Sequence, residues 1–156
     1  MQFPKVLKPL LIVGLLIILF LLNRQPMGLK TKAIILLSKY RALYPYVVAQ
    51  AKLETANFTS NVFLKNKNYF GMKMPRVRPT VAIAGGLKAP SNEGATPYAN
   101  YASESDSVTD LMLWFDYTKF PTSVNSVDDY ARELKKRNFF GSTEISYVKN
   151  LKFWLT

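Results

Sequence analysis

Between Leu10 and Leu22 the chain carries no charged and no polar side chain. A run of Leu, Ile, Val, Phe and a single Gly of this length has to leave water. It divides the chain into an apolar leader and a remainder that must build its own core. Lys5 and Lys8 stand before the run; Arg24, Lys30 and Lys32 follow it. The run falls short of the roughly 20 apolar residues that a spanning helix needs. Val6 and Leu7 lengthen it if Lys8 reaches up to the headgroups. The same length suits the core of a signal peptide, or a buried helix. No small-x-small cleavage site follows, however, and the exit reads Asn23-Arg24-Gln25-Pro26-Met27. The expectation is therefore one N-terminal transmembrane anchor over residues 1–27, in contact with lipid through residues 6–22, and a folded domain over residues 28–156. Bases on both flanks leave the orientation open.

For the remainder, charge and two absences set the limits. The 156 residues carry a formal net charge of +11 and a sequence pI of about 9.9. That balance favours an anionic partner: nucleic acid, an anionic membrane or an acidic polymer. With no Cys there is neither a disulfide framework nor a thiolate zinc site. With no His, Ser-His and Cys-His catalysis and His-ligated metal hydrolysis are excluded. A glycosidase, whose chemistry needs only Asp or Glu, is not.

Lys30 to Leu43 reads as an amphipathic helix with Ile34, Ile35, Leu37, Ala42 and Leu43 as its apolar residues. Tyr44-Pro45 then starts a second helix, running to about Ala56, because Pro is tolerated in a first turn. On it Val47, Gln50, Ala51 and Glu54 share one face at i, i+3, i+4 and i+7. A carboxyl at the edge of an apolar face is partly desolvated, which favours its protonated form, the form a general acid needs. The plain alternative for Glu54 is a solvated helix-terminal acid.

Asn68-Tyr69-Phe70-Gly71-Met72-Lys73 reads as a turn, with Gly71 allowing a positive φ and Asn68 able to orient the loop through its backbone. Val81 to Ala84 is a candidate strand and Gly85-Gly86 a turn signal. Between Asn57 and Asn100 the bases face a single acid, Glu93, in the loop Ser91-Asn92-Glu93-Gly94. Glu104 and Asp106 read as first-turn acids of a capped helix. Ser126 reads as the N-cap of the next helix, which ends in Lys135-Lys136-Arg137, a solvated helix end rather than a nucleic-acid site. A last helix runs from about Thr143 to Phe153.

Ala49-Gln50-Ala51-Lys52-Leu53-Glu54-Thr55 resembles the Ala-Gln-Ala-x-Leu-Glu-Ser/Thr motif of the peptidoglycan glucosaminidases, glycoside hydrolase family 73 of the lysozyme-like superfamily. Asn68 to Lys73 resembles the family's Asn-Leu-Phe-Gly-Ile-Lys, and Tyr98 to Ser103 its Phe-Arg-x-Tyr-x-Ser. Asp129, Tyr130, Leu134, Tyr147 and Leu151 match the family's C-terminal spacing. One departure stands out: many members follow the first motif with Gly-Trp-Gly-x-Ser, where this chain has Ala56-Asn57-Phe58-Thr59-Ser60.

The resemblance implies an α+β fold, a mostly helical lysozyme-like domain with a small β-lobe, here preceded by one transmembrane helix. It implies cleavage of β-1,4 bonds in cell-wall glycan strands, with Glu54 as general acid. Glu93, or the substrate's own acetamido group, would act on the other face. Tyr101 would line the groove, and Gln50, Asn68, Phe70 and Tyr98 would bind substrate. No cofactor and no metal are implied, peptidoglycan is the partner, and no specific nucleic acid is expected. The domain would then lie outside the cytoplasm, or in the membrane of a lipid-containing phage virion. A lytic transglycosylase and a non-catalytic wall-binding protein are the alternatives. The oligomeric state is not set by the sequence.

Overall fold

The structure, a computed structural model, describes residues 27–89 and 95–155. The apolar run Leu10–Leu22 and Glu93 therefore lie outside the described residues. Among the described residues no helix is long and apolar enough to cross a membrane.

The architecture is mostly helical with one two-stranded sheet. Helix α1 spans Leu29–Leu37, a 3₁₀ turn Arg41–Leu43, α2 Tyr44–Glu54, α3 Asn61–Asn66, α4 Glu104–Tyr117, α5 Val127–Lys136 and α6 Glu144–Trp154. Strands β1 (Ala84–Gly85) and β2 (Ala99–Asn100) pair antiparallel, Ala84 opposite Asn100. Helix α1 packs on α4, and α6 packs on both α2 and α5. Their common core holds Val47, Ala51, Leu111, Phe115, Leu134 and Leu151, all at 0% exposure.

The helix expected over Lys30 to Leu43 is broken at Ser38. Its hydroxyl donates to the Ile35 carbonyl and accepts from the Tyr40 amide, a local arrangement that competes with the helical ladder. Helix α2 begins at Tyr44 with Pro45 in its first turn, as expected. Ser103 and Asp106 form a reciprocal capping box at the start of α4. Ser126 and Thr143 cap α5 and α6 by accepting the amides of Asp129 and Ser146.

The candidate strand Val81–Ala84 is displaced. The Thr80 hydroxyl accepts from the Ala82 amide; pairing begins where the Ile83 amide donates to the Asn100 carbonyl, and the strand itself is Ala84–Gly85. Gly86 is part of that pairing rather than of a free turn: its amide donates to the Tyr98 carbonyl at 2.7 Å. A Cβ at Gly86 would sit inside the Asn66 side-chain amide, so any larger residue at this crossing of the β-lobe over α3 would have to displace that buried side chain.

Candidate active site

Helix α2 stops at Glu54 because the chain turns left-handed immediately after it. Ala56, Asn57 and Phe58 have φ of 48°, 55° and 65°. Thr55 braces the reversal: its hydroxyl donates to the Ala51 carbonyl at 2.6 Å and accepts from the Phe58 amide at 2.8 Å. Ala56 and Phe58 occupy the two places where the resemblance puts glycine, the residue that takes this conformation without a Cβ clash. Phe58 is fixed instead by edge contacts with Phe63 and Tyr69.

The result presents Glu54, half-buried, at one wall of a groove of about 990 Å³. Gly71 and Lys73 come from the turn after α3, Tyr98 from the β-lobe, Trp114 from α4, and Phe139 and Phe140 from the loop between α5 and α6. Among the described lining residues Glu54 is the only carboxylate.

The two oxygens of Glu54 are not equivalent. Tyr147, on α6, donates its hydroxyl to Oε1 at 2.6 Å. Gly71, at φ +59°, faces Oε2, which lies 3.7 Å from where a Cβ at that position would stand. Burial, and then the negative charge of Glu54, push the Tyr147 phenol well above its usual value, so it stays protonated and keeps donating. Phe140 stacks flat on the Tyr147 ring, 3.7 Å between centroids and 5° between planes. One groove-wall residue thus holds the ring that holds the acid.

Gln50 and Asn68, expected to bind substrate, are buried at 0% and 1% exposure. Gln50 Oε1 accepts from the Tyr130 hydroxyl at 2.5 Å. Its Nε2 is near enough to influence the Tyr147 phenol but makes no well-formed hydrogen bond. The Asn68 amide donates to the Met72 and Ala99 carbonyls, while its oxygen accepts from the Phe70 and Met72 amides. These two residues build the site's frame. Tyr98 does line the groove; Phe70 stands behind the groove wall, 1% exposed and packed in the core.

Tyr101 is not on the groove. It is 2% exposed, and its hydroxyl donates to Asp110 Oδ2 at 2.8 Å. Asp110 is itself fully buried and receives both terminal nitrogens of Arg78, at 2.9 and 2.6 Å. Burial opposes the Asp110 charge, yet the Arg78 guanidinium, helped by Thr80 and Tyr101, holds the carboxyl below its usual range. This clamp ties the β-lobe wall to α4. Lys135 has a similar duty, donating to the carbonyls of Phe140, Gly141 and Ser142. Arg137 bonds Glu133 and the carbonyls of Thr118 and Lys119. Lys135 and Arg137 therefore brace the end of α5, while Lys136 between them is exposed as expected.

Tyr147, Trp114, Phe139 and Phe140 are the site residues that sequence reasoning did not place. Tyr147 had a signal, its match to the family's C-terminal spacing; the others had only their aromatic character.

The groove thus joins a half-buried carboxylate, steadied by a phenol, to walls rich in aromatic side chains. The family model for glucosaminidase, described as mannosyl-glycoprotein endo-beta-N-acetylglucosaminidase, matches residues 30–155, and the chain belongs to that family. No curated protein matches it significantly. Among solved structures it is similar in fold to one described as a type VI secretion system effector-immunity complex from Pseudomonas protegens. That match has a TM-score of 0.54 and 18% identity, over 72% of this chain and 74% of the other.

Proposed function

We propose that this protein is an endo-β-N-acetylglucosaminidase that cuts the glycan strands of bacterial peptidoglycan, with Glu54 as its general acid. The observation that carries the reading is the placement of Glu54, half-buried at the groove wall with Oε1 accepting from Tyr147 and Oε2 on the Gly71 side. Oε2 delivers its proton to the glycosidic oxygen as the bond breaks. The carboxylate left behind keeps the Tyr147 hydrogen bond, which is stronger to a charged acceptor than to a neutral one. The interaction therefore grows as the proton leaves, the differential that lowers a barrier. In the second half-reaction Glu54 takes a proton back from the attacking water. Glu93 or the substrate's acetamido group supports the developing positive charge on the opposite face. Tyr98, Trp114 and Phe139 give the sugar rings apolar faces to lie against.

The apolar run supports a second part of the proposal. Residues 6–22 hold the chain in a membrane, with the domain over residues 28–156 on the cell-wall side of it.

The test is mass spectrometry of the fragments that the full chain releases from purified peptidoglycan. Products with a reducing N-acetylglucosamine end establish the reading. Anhydro-muramic ends would make the protein a lytic transglycosylase. No fragments from several wall types would remove the enzyme reading.

A further inference from the structure

Helix α1 has two apolar faces. Thr31 and Ile35 turn inward, at 3% and 0% exposure, and the helix packs on α4. Leu29, Ala33, Leu36 and Leu37 lie at i, i+4, i+7 and i+8, which is one stripe of a helix. Its leucines are exposed by 86%, 47% and 87%. Lys30 and Lys32 fall on the two flanks of that stripe. Exposed leucines in a row, edged by lysines on both sides, are unusual on a surface that faces only water.

Two features of the chain point to what covers the stripe. The apolar run ends at Leu22, only a short connection before Leu29, so whatever receives the run is close to α1. Every charged residue before Glu54 is a Lys or an Arg. Of these, Lys39 is paired, with Asp116 at 2.6 Å; Lys30 and Arg41 are exposed. An apolar stripe between cations, on a basic stretch with no acid of its own, matches the acyl and headgroup layers of an anionic bilayer.

We propose that the outward face of α1 lies in the plane of an anionic phospholipid membrane, as a second lipid contact beside the N-terminal run. The inference rests on the anchoring reading only for the nearness of the membrane. The run alone is short for stable spanning. A helix lying in the interface next to it adds buried apolar area and fixes how the groove is presented to its substrate.

The chain has no Cys, so one introduced thiol gives one label. Full chains carrying Leu37→Cys, Leu16→Cys or Ile145→Cys are spin-labelled in vesicles of phosphatidylglycerol and phosphatidylethanolamine. Collision with oxygen, which partitions into lipid, is compared with collision with a water-soluble nickel chelate. Ile145, 85% exposed on α6, is the aqueous reference. The expected result is a Leu37 label high in oxygen and low in nickel accessibility, opposite to Ile145. A Leu37 label as open to nickel as Ile145 overturns the proposal; if Leu16 is then lipid-shielded, the anchor alone survives. A Leu37 label closed to both probes also overturns it, because protein then covers the stripe. A lipid-exposed Leu37 with an aqueous Leu16 supports the α1 contact and removes the anchor.

Discussion

Replacing Arg78 with Met leaves the Asp110 carboxylate fully buried with hydroxyl partners but no cation. Removing one partner of a buried ion pair costs about 3–5 kcal/mol, because the other charge stays out of water uncompensated. Unfolding a domain of about 130 residues carries an entropy of about 0.27 kcal/mol per degree, from about 2.1 cal/mol/K per residue. The Arg78→Met variant should therefore melt about 11–18 °C below the wild type at pH 7. The penalty also has a pH signature. Asp110 is held below its usual range in the folded protein, and an unfolded Asp titrates near about 3.9. The clamp's contribution is present above the unfolded value and is lost as pH falls through the folded one. Without Arg78, burial raises the orphaned carboxyl above its unfolded value. The gap between the two proteins should therefore begin to shrink above about pH 4, as the variant takes up a proton, and shrink further at lower pH as the wild-type clamp is lost. Arg78→Met with Asp110→Leu removes both charges and should recover most of the loss, since an apolar pair often replaces a buried ion pair at little cost. Thermal unfolding followed by circular dichroism at the two pH values reads all three. A single-variant loss under about 1 kcal/mol, or one equal at both pH values, would refute the clamp as the tie between the β-lobe and α4.

Three further outcomes follow from the same geometry. Tyr147→Phe removes the hydrogen bond to Glu54 Oε1 and keeps the ring stacked on Phe140; kcat on peptidoglycan fragments should fall by about 10- to 100-fold, the worth of a charge-assisted hydrogen bond of about 1.5–3 kcal/mol, with KM nearly unchanged. Ala56→Gly relieves a left-handed alanine, exposed at φ 48°; the left-handed penalty of about 1–2 kcal/mol less glycine's extra entropy predicts a gain of about 0.5–1 kcal/mol in urea unfolding. Gly71→Ala forces a Cβ onto a backbone at φ +59° and sets a methyl against Glu54 Oε2; stability should drop by about 1–2 kcal/mol, and turnover should fall further than the folded fraction does.

The local parts of this architecture could be read directly. Ser126 and the acids after it announce the start of α5, and Pro45 the start of α2, because caps and prolines act within one turn. The end of α2 at an acid, and the glycine beside it at Gly71, followed from the two short motifs. What could not be read depends on contacts between distant residues. A Gln on an apolar helix face looks the same whether it binds substrate or accepts from a phenol 80 positions away, as Gln50 does from Tyr130. Tyr147 reaches Glu54 across 93 positions. Tyr101 reads as a groove aromatic until Asp110, one face of α4 away, is seen to bind it with Arg78. The left-handed turn at Ala56 and Phe58 left no trace in those two residues themselves; only the family's Gly-Trp-Gly-x-Ser, from which this chain departs, carries glycine there. The break at Ser38 left only a serine, and α1 and the 3₁₀ turn after it merged into one expected helix.

The central claim is that Glu54 is the acid of a glycan-cutting site. The most direct measurement is the rate at which full-length Glu54→Gln releases reducing ends from purified peptidoglycan, beside wild type, with both melting curves recorded. Gln keeps the shape and the Tyr147 contact but carries no transferable proton. The account predicts a loss of at least about 100-fold, the usual worth of a general acid, at a melting temperature within a few degrees of wild type. A folded Glu54→Gln that releases reducing ends at the wild-type rate would contradict it.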